Sequence, residues 1–108
     1  MPTAQTTVDA LLAALANAGP VTARKMFGEY CVYLGGKVVA LVCDDQFFVK
    51  PTKIGRRIAR DVAEKAPFPG AKPYLLVPKR QWSDADWMCG LVTATADELP
   101  EPRKKKPK

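Results

Sequence analysis

The sequence predicts an α+β fold, in which an antiparallel sheet made of a three-strand meander and one further strand is flanked by three helices. Residues 24–50 contain apolar runs that are separated by Gly35-Gly36 and by Asp44-Asp45, and such residue pairs suit tight hairpin turns. Three segments outside this stretch carry apolar residues at helical spacing. Together these patterns indicate strands in the first half of the chain and helices around them.

The first helix is predicted close to the N-terminus. Thr6 or Thr7 can serve as its N-cap, because a short hydroxyl side chain accepts a hydrogen bond from the first turn. The run from Asn17 to Gly19, followed by Pro20, ends the helix. Its apolar residues fall on one face, so that this face docks on the rest of the protein. They are Val8, Leu11, Leu12 and Leu15.

The meander follows, and its register can be predicted from its turns. Side chains alternate between the faces of a strand, so placing the turn centres at residues 35–36 and 44–45 assigns every residue to a face. Both faces are then apolar, and we expect helices or another surface to cover much of both. The predicted neighbours are Val32 with Val39, Leu41 with Tyr30 and Phe48, and Cys31 with Ala40, with Val49 beyond.

The second helix is predicted over about residues 53–65, with Thr52 as its N-cap. Its buried stripe consists of Ile54, Ile58 and Val62. Four basic residues fall within roughly 100° on the opposite side, given about 100° per residue. Such a band is either a solvated helix face or a contact surface for phosphates or an acidic partner. Its members are Lys53, Arg56, Arg57 and Arg60.

The last strand and the third helix follow a segment rich in proline and glycine, residues 66–73. Tyr74 to Val77 forms the strand. Ser83 is predicted to cap the helix, which ends near Leu99. Trp82 and Trp87 stand at the positions of a hydrophobic staple. The predicted inner face is Trp87, Leu91, Val92, and Ala94 or Thr95.

The net charge of +6 is concentrated at the C-terminus. Residues 101–108 hold five basic residues and one glutamate, a net +4, whereas residues 1–100 hold 12 basic and 10 acidic residues, a net +2. A lysine and proline tail without apolar residues cannot offset the entropy of ordering. We therefore expect one folded domain over residues 1–100, followed by a disordered basic tail that is either a solubilising end or a contact for an acidic surface.

The residue types argue against an enzyme, a metal site or a cofactor. The chain has no histidine, and its three cysteines are too widely spaced for a zinc or redox motif. Asp44 and Asp45 lie at a predicted turn, where we expect hydrated carboxylates with ordinary pKa values. No stretch resembles a signal peptide or a membrane span, so we expect a cytoplasmic protein that does not bind membranes. Edge strands of a small sheet can pair between two copies, and we expect a monomer or a weak homodimer.

The segment RKMFGEYCVY, residues 24–33, together with GGKVVALVCDDQFFVK and the later PFPGAKPYLLVP, resembles the N-terminal domain of the TfoX/Sxy proteins, which are bacterial regulators linked to natural competence. The resemblance covers about residues 8–99 and implies a small α+β domain without established catalytic residues. This chain has Glu29 and Cys31 where the commonest form has glycine. Full-length regulators carry a second helical domain, and we expect this chain to correspond to the first alone.

Two functions follow as expectations. The first is that of a non-enzymatic regulatory or adaptor domain, which contacts an unidentified protein partner through the turn before the meander. The second is non-specific binding to the phosphate backbone of nucleic acid through the basic helix face and the tail. The partner-binding candidates are Arg24, Lys25, Met26, Phe27, Gly28 and Glu29. The nucleic-acid-binding candidates are Lys53, Arg56, Arg57, Arg60, Lys104, Lys105 and Lys106.

Overall fold

The computed structural model describes residues 4–26 and 29–99, except for the side chain of Met26. It confirms the α+β fold, with three helices and an open, six-stranded antiparallel sheet within these residues. The helices are α1 (Gln5–Ala14), α2 (Lys53–Ile58) and α3 (Ala85–Glu98), with short 3-10 turns at Ala16–Ala18 and Lys79–Gln81. The strands are β1 (Val21–Met26), β2 (Glu29–Leu34), β3 (Lys37–Cys43), β4 (Gln46–Val49), β5 (Glu64–Lys65) and β6 (Tyr74–Val77), in the order β1-β2-β3-β4-β6-β5.

The predicted meander corresponds to β2, β3 and β4, and the prediction of four strands is too low by two. Both predicted turns are present, and all four central residues have positive φ, between 53° and 85°. The two strands that the prediction missed, β1 and β5, occupy the edges of the sheet. Edge strands are often short or charged, which makes their sequence pattern weak.

The predicted register is right for one hairpin and wrong by one residue for the other. Leu41 lies opposite Phe48, as predicted. Val32 pairs with Ala40 rather than with Val39, because β3 has a bulge opposite residues 32 and 33 of β2, where Val39 is an extra residue. The corrected pairs between β2 and β3 are Tyr30 with Val42 and Cys31 with Leu41, in place of Tyr30 with Leu41 and Cys31 with Ala40.

The helices pack on one face of the sheet, so the prediction is wrong where it places helices on both faces. Helix α3 contacts β2, β3 and the other two helices, and α1 contacts β1. The opposite face, which we call the outer face, carries Cys31, Leu41 and Phe48 in one row. Phe48 is nevertheless 1% exposed, since the outer face is covered in part by the chain itself. The principal core residues on the helix side are Val8, Leu11, Leu15, Val32, Val42, Phe47, Val49, Leu75, Val77, Met88, Leu91 and Val92.

Helix α1 is capped by a side chain from the β3–β4 turn. The predicted caps, Thr6 and Thr7, are wrong, because the helix begins at Gln5 after Ala4, whose side chain makes no capping bond. Asp45 Oδ1 accepts hydrogen bonds from Ala4 N and from Thr7 Oγ1, both at 2.8 Å. The Ala4 N–H and then the Thr7 hydroxyl lower the pKa of Asp45, so the expectation of an ordinary value is wrong for this residue.

Helix α2 is much shorter than predicted and packs through a glycine. It ends at Ile58 instead of residue 65, and Ile54, predicted to be buried, is 37% exposed. The buried residue of this helix is Gly55, where an added Cβ would lie 3.6 Å from Leu91 Cδ1 of α3. The predicted N-cap is confirmed, because Thr52 Oγ1 accepts from Gly55 N at 3.0 Å.

Helix α3 begins one residue later than predicted. Its N-cap is Asp84, which accepts a hydrogen bond from Trp87 N at 3.1 Å, whereas the Ser83 hydroxyl donates to Arg80 O. Trp87, which was predicted to lie on the inner face, is only partly buried beside the core. Met88 is fully buried in its place. The observed inner face is Met88, Leu91, Val92, Thr95 and Ala96.

Acid should destabilise the protein through the carboxylates that cap two helices. Glu98 accepts hydrogen bonds from Ile54 N and Lys53 N, which lower its pKa, as Ala4 N and Thr7 lower that of Asp45. A carboxylate with a lowered folded-state pKa stabilises the fold above its ordinary pKa, and that stabilisation is lost as pH falls through the folded value.

We expect the free energy of unfolding, measured with urea between pH 7 and pH 3, to fall with pH less steeply in Asp45→Asn/Glu98→Gln than in the wild-type protein. Asparagine tolerates the positive φ of 59° at position 45, so backbone strain does not confound the comparison. A variant that keeps the wild-type pH slope would contradict this assignment.

Candidate functional site

The predicted partner-binding residues lie at and beyond the end of β1. Arg24 and Lys25 are both exposed, on opposite faces of the strand, because side chains alternate. Glu29 starts β2, where its backbone pairs with that of Met26 and its Oε1 accepts a hydrogen bond from Asp44 N at 3.1 Å. Phe27 and Gly28 lie outside the described residues. The two cations are therefore exposed on opposite faces of one edge strand, and the role of the turn residues stays a prediction.

Strand β1 is the longer of the two edge strands. It pairs only with β2 within the part of the chain that the structure describes, from Val21 opposite Leu34 to Met26 opposite Glu29. An edge strand leaves every second backbone N–H and C=O group available to another chain, and charged side chains select what can approach. The six residues of β1 thus form an extended edge with two cations near one end.

The predicted basic helix face is interrupted by carboxylates. Arg56 Nε lies 3.0 Å from Glu64 Oε2, and the second guanidinium contact, to Oε1, is 3.4 Å. This contact raises the pKa of Arg56. Arg60 lies beyond the end of α2, where a single helical face no longer relates it to Lys53. Lys104, Lys105 and Lys106 lie outside the described residues.

The N-terminus of α2 is also occupied by a carboxylate. Glu98 at the end of α3 accepts from Lys53 N at 2.9 Å and from Ile54 N at 3.0 Å. A helix N-terminus attracts anions through its unpaired N–H groups, but here the protein supplies its own. Of the four cations predicted for this helix face, Lys53, Arg57 and Arg60 remain as exposed side chains for a phosphate.

A pocket that the sequence did not predict lies on the outer face of the sheet. The cavity has a volume of about 520 Å³, and we call it the outer-face pocket. Its floor is formed by Cys31, Leu41 and Cys43 of β2 and β3, and one wall by Pro67 and Phe68 of the segment before β6. Phe68 is 52% exposed, more than any other large apolar residue that the structure describes.

The thiols of the outer-face pocket are electrically neutral at physiological pH. Burial, and then the charge of Glu29, raise the pKa of Cys43 to about 11, and burial also raises the pKa of Cys31. A nucleophilic cysteine needs the opposite shift, because the thiolate is the reactive form. The pocket is therefore an apolar surface and not a thiolate site.

Within residues 4–26 and 29–99, no three side chains of the types that bind metals come together. Among the same residues, none of the helices has the length and apolar character that crossing a membrane requires.

The chain is similar to proteins of one family along most of its length. The model of the TfoX N-terminal domain matches residues 13–99. An "Uncharacterized 12.7 kDa protein in trpE 5'region" from Spirochaeta aurantia is 38% identical over 95 residues, which cover 85% of this chain and 82% of that protein. The matched region includes the whole sheet, the outer-face pocket and the exposed β1 edge. The chain belongs to the TfoX N-terminal domain family.

Proposed function

We propose that this protein is a non-enzymatic regulatory domain of the cytoplasm that acts by binding another protein along the exposed edge of β1. The observation that carries the proposal is the pair of exposed cations, Arg24 and Lys25, on the terminal strand of the sheet. Backbone groups of an edge strand supply affinity for an extended segment, and flanking charges supply selectivity.

Membership of the TfoX N-terminal domain family supports a role in regulation. We take the process to be transcriptional control of the competence type, because the resemblance of residues 24–33 is to the regulators of that process. The chemistry of the chain agrees with a binding role, since it contains no histidine to act as a general base near neutral pH. The protein itself is proposed to be a monomer or a weak homodimer.

A pair of charge-reversed variants tests the β1 edge. Arg24→Glu/Lys25→Glu changes the edge, and Arg57→Glu/Arg60→Glu makes the same change of charge on another exposed surface. We expect the edge variant to capture at least about tenfold less of a specific protein from an extract of the source organism, because reversed charges repel an interface built for cations. The control variant should capture as much as the wild-type protein.

The proposal fails if both variants lose the captured protein equally, or if the edge variant retains it. Capture should be repeated at two salt concentrations and after nuclease treatment. A signal that the nuclease removes contradicts a direct protein contact.

Binding to nucleic acid is the second candidate, and the exposed side chains of Arg57 and Arg60 favour it. In a logarithmic plot, the binding constant for a nucleic acid falls with salt concentration with a slope of about 0.7–0.9 for each phosphate that the protein neutralises. We expect the affinity of the wild-type protein for a fluorescent oligonucleotide to show this salt dependence. In Arg57→Glu/Arg60→Glu the slope should fall by the equivalent of about two phosphate contacts. An affinity that does not change with salt rules this candidate out.

A further inference from the structure

The outer-face pocket has the size and surface of a small-molecule site. Its volume of about 520 Å³ lies in the range of roughly 300–1,000 Å³ that is typical of ligand pockets. Leu41, Pro67 and Phe68 supply apolar surface, and the two cysteines add thiols that bear no charge. Phe68, which lines the pocket, is about half exposed, and an apolar ligand would remove part of that area from water.

The wall of this pocket is held in place before any ligand arrives. Pro67 and Pro69 flank Phe68 and restrict the backbone on both sides of it. A turn bond from Ala71 N to Phe68 O, at 3.1 Å, closes the segment, and Gly70 supplies the positive φ of 87° that the turn requires. A preformed wall lowers the entropic cost of binding.

The charges around the pocket favour neither an anionic nor a cationic ligand. The negative charge of Glu29 raises the pKa of Cys43, whereas the positive charges of Lys50 and Arg24 oppose the rise that burial causes in the pKa of Cys31. A charged ligand would therefore meet attraction and repulsion together, and it would lose its hydration on an apolar floor. A ligand without charge avoids both costs.

We propose that the outer-face pocket binds a small, uncharged and largely apolar molecule between the floor formed by Cys31, Leu41 and Cys43 and the side chain of Phe68. This site is separate from the contacts along the β1 edge, and its test does not depend on them.

The neutral dye N-phenylnaphthylamine, whose fluorescence rises in apolar surroundings, serves as the probe for the full-length protein. We expect it to bind with a dissociation constant in the micromolar range, and Phe68→Ala to weaken binding by roughly five- to tenfold, through the loss of ring contact. Ile54→Ala is the matched control, because Ile54 is also a large exposed apolar residue but lies on α2. This variant should bind the dye within about twofold of the wild-type protein.

Anilinonaphthalenesulfonate carries the same aromatic groups and a negative charge, and we expect it to bind at least about tenfold more weakly. Saturating N-phenylnaphthylamine should slow the modification of Cys31 by a disulfide reagent but not that of Cys89, which lies on α3 with its Sγ 3.4 Å from Ala14 O. Mass spectrometry of peptides separates the two rates without any substitution.

Three results would overturn the proposal. The dye gives no fluorescence up to its solubility limit, the two alanine variants weaken binding equally, or the dye slows the modification of Cys31 and Cys89 alike.

Discussion

Gly55→Ala is expected to lower the free energy of unfolding by about 2 kcal/mol, although alanine is the better helix former. A Cβ at this position would lie 2.7 Å from Thr52 Oγ1, which is far below a van der Waals distance. Thr52 cannot move away at no cost, because it is 6% exposed and its Oγ1 caps α2 by accepting from Gly55 N. The substitution thus combines overpacking with the loss of a cap, and the loss of a cap alone costs about 1 kcal/mol.

Gly90→Ala is the control, since Gly90 is also a helical glycine, but beyond its chain neighbours and its own helix backbone no atom lies within 4 Å of its added Cβ. There we expect a gain of about 0.5–1 kcal/mol from helix propensity alone. Urea unfolding followed by the fluorescence of Trp82 and Trp87 measures both variants. Equal stability of the two variants would show that α2 does not pack on α3 as closely as the structure indicates.

The central hairpins could be predicted because their signals are local. The pairs at residues 35–36 and 44–45 adopt the positive φ that their turns need, and Leu41 faces Phe48 as the turn position requires. The bulge opposite residues 32 and 33 could not be predicted, because an extra valine among apolar residues leaves the pattern unchanged. A one-residue error in register then moves residues to the wrong face.

The helix ends show the limit of sequence reasoning most clearly, because three of them are capped by residues distant in the chain. Asp45 caps α1, Glu98 caps α2, and Lys37 binds the C-terminus of α3. Thr7 and Ser83 were plausible N-caps, but Asp45, which is distant in the chain, takes this role at α1, and the neighbouring Asp84 takes it at α3. Only Thr52, which lies next to its helix, is a cap that the sequence predicted correctly.

One part of the candidate site could be predicted from the sequence, and the other could not. The exposed cations Arg24 and Lys25 could be predicted from the charges that interrupt an apolar stretch. The outer-face pocket could not, because its floor comes from β2 and β3 and its wall from a segment more than 20 residues later. The three prolines of residues 66–73 indicated a rigid connection, and one of them, Pro67, lines the wall of the pocket. Nothing in the sequence marks Phe68 as exposed rather than buried.

Lys37→Met is expected to lower the free energy of unfolding by about 1–2 kcal/mol. Lys37 Nζ donates to Ala96 O at 2.8 Å and to Leu99 O at 3.1 Å, where the last carbonyl groups of α3 lack partners within the helix. The last turn of α3 contains no basic residue of its own, so Lys37 supplies the positive charge that a helix C-terminus favours. Methionine keeps the length and apolar stem of the side chain but removes the donor.

Lys72→Met removes the same charge from the exposed segment before β6, and we expect it to change stability by less than about 0.5 kcal/mol. Hydrogen exchange adds a local measurement, because loss of the ammonium group should speed exchange of the Leu99 amide, which donates to Thr95 O at 3.1 Å, in Lys37→Met alone. If the two variants lose equal stability, or if exchange at Leu99 is unchanged in Lys37→Met, the ammonium group does not hold the end of α3. The start of β3 and the end of α3 would then be joined by apolar packing alone, and the charge at position 37 would be dispensable for the fold.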